Sequence, residues 1–224
     1  MAKTYGKLFE EQIIEPHPDS SEDVLSARSI LIRAGLDLNK LVNPRDMGMK
    51  QRPEVKTDIY YKAHGNEYKI SVKYGNHVQL CSINRESAQK YFSVASQLAG
   101  LAEHNDIQDL INDFSTLPKK VDKSEWTQWS DGPAKRVIND KMNGILDKHP
   151  RLRYSLAEVA LTGKELFSDL RGEADHVLTE NKLVPIDKEY IQACSDNMRL
   201  QFRCKSRKGN SEACLRIDLD MRKV

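Results

Sequence analysis

The most constraining feature of this sequence is a pair of strand-like segments joined by a short turn. The segments Val55–Lys62 and Glu67–Tyr74 are rich in aromatic and β-branched residues, and Ala63-His64-Gly65-Asn66 lies between them. This pattern predicts an antiparallel β-hairpin. The fold must therefore accommodate at least this one pair of neighbouring strands.

Alternation along the predicted strands places chemically different side chains on opposite faces. Successive side chains of a strand point to opposite sides of a sheet. Ile59 and Ile70 therefore belong to an apolar face, whereas Asp58, Ser71 and Lys73 belong to a polar one. The hairpin is expected to present an acid, a hydroxyl group and basic side chains together.

Helical patterns precede and follow this hairpin. Ser20 or Ser21 is predicted to cap a helix that runs to about Ala34, and Gly35 suits the position after its end. The other predicted elements are helices over about Asn84–Glu103, Asp106–Phe114 and Pro133–Asp147, a helix opened by the capping box Ser155–Glu158 and running to about Leu170, and strands over Met198–Lys205 and Glu212–Leu219.

The order of these elements predicts a mixed fold of the α/β or α+β class. The 224 residues suit one large domain. Within residues 1–224 we expect a core in 1–104, a helical subdomain in 105–170, and C-terminal strands in 171–224 that form a hairpin and complete the core.

Charge and hydropathy exclude several classes of protein. Thirty-five basic residues against 33 acidic ones give a net charge of only +2, so contact with nucleic acid would have to come from local clusters. We find no apolar stretch long enough to span a membrane and no hydrophobic signal segment at the N-terminus, so we expect no membrane partner and a cytoplasmic location.

The acid and the lysine of the hairpin are the residue types that phosphodiester hydrolysis requires. Mg²⁺ prefers hard oxygen ligands, usually one or two carboxylates with carbonyl groups, water and substrate phosphate. A nearby lysine can orient the attacking water or neutralise developing charge. Asp58 and Lys73 meet this need on one face, and Glu86 brings a second acid at the start of the next predicted helix.

With these residues, the segment Val55–Phe92 resembles the PD-(D/E)xK nuclease superfamily, which has the restriction-endonuclease-like fold. Asp58 matches the aspartate of the first strand, although Thr57 stands where the motif has proline. Lys73 matches the lysine of the (D/E)xK element, and Ser71 occupies the acidic position of that element.

One branch of restriction enzymes has the same Ser-x-Lys, with the missing carboxylate moved onto the next helix. The resemblance therefore implies that Glu86 is the second metal ligand beside Asp58, and that the carbonyl group of Val72 contributes as well. Glu67 is a rival, because Glu67-Tyr-Lys69 is also literally E-x-K. Nucleases of this fold often add a glutamate from an N-terminal helix, which makes Glu10 or Glu11 a further ligand.

The resemblance implies a Mg²⁺-dependent DNA endonuclease, in which Mn²⁺ can substitute. A metal-activated water would attack the phosphodiester bond, with Lys73 positioning it, and the enzyme would nick or cut double-stranded DNA. A homodimer is the simplest geometry for cutting both strands. A phage or mobile element and a restriction system are both compatible origins. The expected phosphate contacts are Arg45, Lys50, Arg52, Lys56, Lys69, His77, Lys119 and Lys120.

Other interpretations of the same residues remain open. Asp58 and Lys73 can form a cross-strand ion pair on a solvated sheet. Glu86 can be an acid that suits a helix N-terminus. The whole fold can be a DNA- or protein-binding module without activity, in which Ser71 marks the lost acid. An RNA nuclease on the same scaffold is a further alternative.

Overall fold

The structure is a computed structural model, and it describes residues 5–48, 56–73, 77–122, 125, 128–129, 132–166, 169–204, 211–220 and 224. The helices in this part of the chain are α1 (Tyr5–Ile14), α2 (Glu22–Arg33), α3 (Arg85–Leu98), α4 (Asn105–Thr116), α5 (Pro133–Lys148), α6 (Pro150–Thr162) and α7 (Lys188–Asn197). The strands are β1 (Leu41–Val42), β2 (Ile59–Ala63), β3 (Asn66–Val72), β4 (His77–Ile83), β5 (Lys120–Val121), β6 (His176–Leu178), β7 (Leu183–Pro185), β8 (Met198–Cys204) and β9 (Ser211–Asp220). The predicted mixed α and β class is confirmed.

The chain divides into two compact units, each built from two separate segments. Unit 1 comprises residues 1–76 and 161–188, and unit 2 comprises residues 77–160 and 189–224. These boundaries differ from the predicted ones at residues 104 and 170, because the chain leaves unit 1 directly after the hairpin and returns to it much later.

Unit 1 contains a five-stranded mixed sheet in the order β1-β2-β3-β6-β7. The predicted hairpin forms its centre, with Ile59 opposite Ile70 and Tyr61 opposite Tyr68. Strand β6 pairs with β3 in parallel, whereas the other neighbours are antiparallel. The sheet is thus completed by β6 and β7 from the second segment of unit 1.

Two helices pack their apolar stripes on one side of this sheet. In α2, Ser21 caps the N-terminus by accepting a hydrogen bond from the backbone of Val24, and Gly35 follows the helix with φ +82°. Both features were predicted. The cluster buried against the sheet contains Phe9, Ile13, Val24, Ala27, Ile30, Leu31, Leu36, Leu41, Ile59, Tyr61, Ile70 and Leu178.

Unit 2 contains a sheet organised around β9. This strand pairs antiparallel with β4, β5 and β8, so the C-terminal strands form their sheet here. Strand β4 was not predicted. Helix α3 begins after Asn84 as expected, but it ends at Leu98 because Gly100 adopts φ +70° and turns the chain. The ring of its buried Phe92 packs against the ring of Phe114 in α4, with the two ring centroids 5.0 Å apart.

The predicted start of the helix near residue 155 is wrong. Helix α6 begins at Pro150, which suits the first turn because a helix needs no N–H donor there. Ser155 lies inside the helix and is only 5% exposed, so it is a packed residue and no cap. The helix ends at Thr162, before Gly163 with φ +77°.

Among the described residues, no helix combines the length and apolarity that crossing a bilayer requires.

Candidate active site

Asp58 stands immediately before β2, and its carboxylate is held by the neighbouring strand. The Ser71 hydroxyl donates to Asp58 Oδ2 at 3.2 Å, and the backbone N–H of Val72 donates to the same oxygen at 2.7 Å. The other carboxylate oxygen, Oδ1, has no hydrogen bond to any described residue. These two hydrogen bonds to one oxygen therefore fix the orientation of the side chain.

Ser71 and Thr57, the two residues at which this sequence departs from the nuclease motif that it resembles, have structural roles. Ser71 is completely buried, and its hydroxyl group is engaged by Asp58. Thr57 is 4% exposed, and its hydroxyl group donates to the carbonyl of Glu173 at 3.1 Å. The backbone N–H of Thr57 also bonds to the carbonyl of Gly172. The two departures from the family motif thus anchor the aspartate between β3 and the loop before β6.

Lys73 follows β3 directly. Its backbone N–H donates to the carbonyl of Leu178 at 2.9 Å, which continues the pairing of β3 with β6. Its ammonium Nζ lies 3.5 Å from the carbonyl oxygen of Val72. The lysine and the two groups expected to bind metal, Asp58 and the Val72 carbonyl, therefore occur together at one end of the hairpin.

Glu10 brings a second carboxylate to this place from α1. Its pKa is raised from 4.5 to about 7, first because the side chain is largely desolvated and then because Asp58 repels its negative charge. Lys73, Arg45 and Lys7 act in the opposite direction. Glu10 therefore lies close enough to both Asp58 and Lys73 for their charges to act on it.

Glu11 and Arg45 lie beside this cluster. Arg45 Nη1 is 3.6 Å from Glu11 Oε1, so the acid next to Glu10 along the chain is balanced by a guanidinium group. Arg45 Nε is buried and has no hydrogen-bond partner among the described residues. Arg45 sits in the short 3-10 helix Pro44–Met47, which the side chain of Asn43 caps.

Glu86 has a different environment. It lies in the first turn of α3 in unit 2, where it pairs with Lys119 at 2.9 Å and with Arg85 at 3.3 Å. These contacts, with the hydrogen bond from Lys119 as the largest cause, lower its pKa to about 2. Asp58 and Lys73 belong to unit 1, and the role of Glu86 as their metal-binding partner stays a prediction.

Glu67 lies at the other end of the hairpin. It is paired in register with Lys62, and their side chains form an ion pair at 3.3 Å. Ser71 lies four positions after Glu67 in the strand, which corresponds to about 13 Å along β3. This separation argues against the reading of Glu67-Tyr68-Lys69 as the catalytic element.

The basic residues predicted to contact DNA have unequal surroundings. Lys56 is only 5% exposed, and this burial argues against a direct contact with a phosphate backbone. Lys69 donates its ammonium group to the carbonyl of Leu170 at 3.1 Å. Among the predicted phosphate contacts, Arg45 is one whose positive charge acts on Glu10 and lowers its pKa.

The remaining predicted contacts belong to unit 2 or lie outside the described residues. Lys119 is paired with Glu86, and Lys120 is exposed at the start of β5 in unit 2. Lys50 and Arg52 lie outside the described residues, as does the side chain of His77.

Sequence reasoning named Glu10 only as a further ligand and missed Lys7. A signal for their positions was present. Phe9 and Ile13 are spaced as one buried face of α1, and Glu10 flanks that face by one residue, at the edge of the core. Lys7 and Glu10 are three residues apart and therefore share a side of the helix.

A scan against protein-family models and searches of curated proteins and of solved structures found no match to this chain. The chemistry of the site is therefore argued from its own geometry.

Proposed function

We propose that this protein is a Mg²⁺-dependent DNA endonuclease with its site formed by Glu10, Asp58 and Lys73. The observation that carries the proposal is the convergence of two carboxylates and a lysine from α1, the start of β2 and the end of β3. The pKa of Glu10 is raised to about 7 first by desolvation and then by the charge of Asp58, which supports the proposal that the two acids act at one site.

The donor set fits a hard divalent cation. Asp58 Oδ1, the carboxylate of Glu10 and the carbonyl oxygen of Val72 are all oxygen ligands of the type that Mg²⁺ and Mn²⁺ prefer. A cation also offsets the repulsion between the two carboxylates. When bound, the ion would lower the pKa of a water molecule and neutralise charge on the phosphate.

Each protein group then has a definite task. Ser71 and the Val72 N–H hold Asp58 in one orientation, so little rearrangement is needed when a ligand arrives. Lys73 carries a positive charge close to both acids, where it can orient an attacking water and stabilise the negative charge that develops on the phosphate.

The surroundings favour a polyanionic substrate. Arg45 has a side chain that is 35% exposed, and Lys7 adds positive charge on the same side of α1 as Glu10. Guanidinium groups suit phosphate oxygens because they donate several hydrogen bonds in a fixed plane. We propose double-stranded DNA as the substrate, and a homodimer as the form that cuts both strands.

A supercoiled plasmid tests this proposal. The protein is incubated with Mg²⁺, with Mn²⁺ or with EDTA, beside the variants Asp58→Asn and Lys73→Met. We expect nicked or linear plasmid with either cation and none with EDTA. Each variant should lower the cleavage rate by about a hundredfold or more, because positioned acid–base groups contribute that much to catalysis.

DNA binding, measured by gel shift in Ca²⁺, serves as the control. Wild-type protein that binds plasmid but never cuts it in Mg²⁺ or Mn²⁺ would contradict the nuclease and favour the inactive binding module. Cutting of RNA with intact DNA would assign the same site to an RNA nuclease. Cleavage that persists in Asp58→Asn would show that the activity comes from another site or a contaminant.

A further inference from the structure

Three side chains of types that ligate metals meet in unit 2, and none of them is a residue of the proposed nuclease site. His104, Asp106 and His149 each offer one ligand atom, and these atoms lie within 4.8 Å of one another. His104 and Asp106 stand at the start of α4, whereas His149 stands between α5 and α6. The fold thus brings together residues that are far apart in the sequence.

Two ring nitrogens in this cluster have no partner of their own. His104 Nδ1 and His149 Nε2 are buried, and neither makes a hydrogen bond to a described residue. The two imidazole rings pack edge to face, with their centroids 4.5 Å apart. Buried polar atoms are rarely left unsatisfied, so two of them beside a carboxylate call for a ligand.

His104 is not used as a helix cap. It occupies the N-cap position of α4, yet its side chain makes no capping hydrogen bond. Asp106, in the first turn of the same helix, makes its hydrogen bond with Lys148 instead. The His104 ring therefore remains free of the helix backbone and packs against His149. The start of α4 thus offers a nitrogen atom from His104 and an oxygen atom from Asp106, two residues apart.

We propose that His104, Asp106 and His149 bind a divalent cation of the Zn²⁺ class, with water completing the coordination. Two imidazole nitrogens and one carboxylate oxygen are a donor set that suits Zn²⁺. Mg²⁺ takes oxygen ligands and would not choose two imidazoles. The site shares no residue with the oxygen-rich site of Asp58 and does not depend on the proposed nuclease activity.

Lys148 competes with the cation for Asp106. Its ammonium group forms an ion pair with Asp106 Oδ2, so the positive charge already lies at the cluster. The Lys148 side chain is 62% exposed and can withdraw into solvent when a metal ion arrives. Removal of this charge should therefore strengthen metal binding, an effect that ordinary surface histidines would not show.

Zn²⁺ binding to the full chain tests the site. Chelator-treated protein carrying Asp58→Asn, which weakens the other candidate site, is titrated with Zn²⁺ by calorimetry. We expect one tight site. His104→Ala and His149→Ala should each weaken it by about tenfold or more, since even the loss of a residue behind a ligand can cost that much. Lys148→Met should tighten it.

The matched control is His17→Ala. His17 also lies beside an aspartate, 3.6 Å from Asp19, but its side chain is 65% exposed and it belongs to no group of three candidate ligands among the described residues. This variant should bind Zn²⁺ as the parent does. Visible absorption of the Co²⁺ complex gives a second readout, because ligand-field bands report imidazole coordination and not mere ionic association.

Two results would overturn the proposal. The first is a chain that takes up no Zn²⁺ or Co²⁺. The second is binding that His104→Ala and His149→Ala leave unchanged. If either histidine variant fails to fold, as judged by circular dichroism, the exposed Lys148→Met decides: unchanged Zn²⁺ affinity contradicts the site.

Discussion

The carboxylate of Asp58 is held in one orientation by hydrogen bonds from the neighbouring strand. Ser71 and the Val72 N–H both donate to one oxygen of this carboxylate. Hydrogen bonds to a charged acceptor are stronger than neutral ones, so they hold the side chain in place without a ligand. Ser71 thus supports the aspartate, and in the proposed site the carboxylate of Glu10 on α1 supplies the second acid.

Glu10 makes the folded protein sensitive to pH. Its pKa is about 7 in the folded chain against an ordinary 4.5, so the folded state holds a proton that the unfolded state releases. Stability is therefore lost as the pH rises from about 4.5 to about 7. Without divalent cations at pH 8, Glu10→Gln should be more stable than wild type by about 1–3 kcal/mol in urea unfolding. At pH 4 the two should be nearly equal.

Mg²⁺ provides the control for this prediction. A cation at the site should stabilise wild type more than Glu10→Gln and narrow the difference at pH 8. An equal free energy of unfolding for both proteins from pH 4 to pH 8 would contradict the placement of Glu10 in a desolvated space facing Asp58.

At the scale of elements, the hairpin is held by a turn of two residues with left-handed backbone conformations. His64 and Gly65 have φ values of +52° and +82°, the combination that matches the twist of an antiparallel pair. A methyl group at Gly65 would meet no atom within 4 Å. Any loss of stability caused by a methyl group at Gly65 therefore comes from backbone strain alone.

We expect Gly65→Ala to destabilise the protein by about 1–2 kcal/mol, the cost of a left-handed conformation in a residue with a Cβ. His64→Asn is the matched control, and it should be neutral or slightly stabilising because asparagine tolerates this conformation. Thermal unfolding measures both. A Gly65→Ala protein as stable as wild type would contradict the turn, and with it the register that places Ser71 opposite Asp58.

Local patterns predicted the elements whose signals are local. The hairpin, the cap at Ser21 and the buried stripe of α2 all depend on residues within a few positions of one another. The start of α6 was missed because Ser155 has the side chain of a cap, and only tertiary burial reveals it as an interior residue. Strand β6 is short, and its pairing partner β3 lies in a distant part of the sequence. No local sequence pattern therefore predicts this strand.

The candidate site also contains residues that local patterns predict and residues that only tertiary packing brings together. Asp58, Ser71 and Lys73 share a face because strands alternate, and this could be predicted from the sequence alone. The proximity of Glu10 depends on how α1 packs against the sheet, which periodicity cannot specify. The cluster of His104 and His149 likewise depends on the packing of α4 against the end of α5.

At the scale of the whole molecule, the two units are interleaved along the chain. The first segment of unit 2, residues 77–160, is connected at both of its ends to segments of unit 1. The second segment of unit 2 begins at residue 189. The net charge is only +2. The proposed affinity for DNA would therefore come from a few local charges, and Arg45 is one of the basic residues whose charge acts on Glu10.

Arg45→Ala should weaken DNA binding to a similar extent for every sequence, because a phosphate contact carries no base information. The slope of log affinity against log salt should fall by about 1. Arg33→Ala, which removes an exposed arginine at the end of α2, is the control and should leave both quantities unchanged. An unchanged salt slope in Arg45→Ala would contradict a phosphate contact at this residue.

The most direct test of the account compares three glutamates in one plasmid-cleavage assay with Mg²⁺. Glu10→Gln should lose cleavage, whereas the neighbouring Glu11→Gln and the ion-paired Glu86→Gln should keep most of it. Loss in Glu86→Gln with activity retained in Glu10→Gln would contradict the account and restore the acid on α3 as the second ligand.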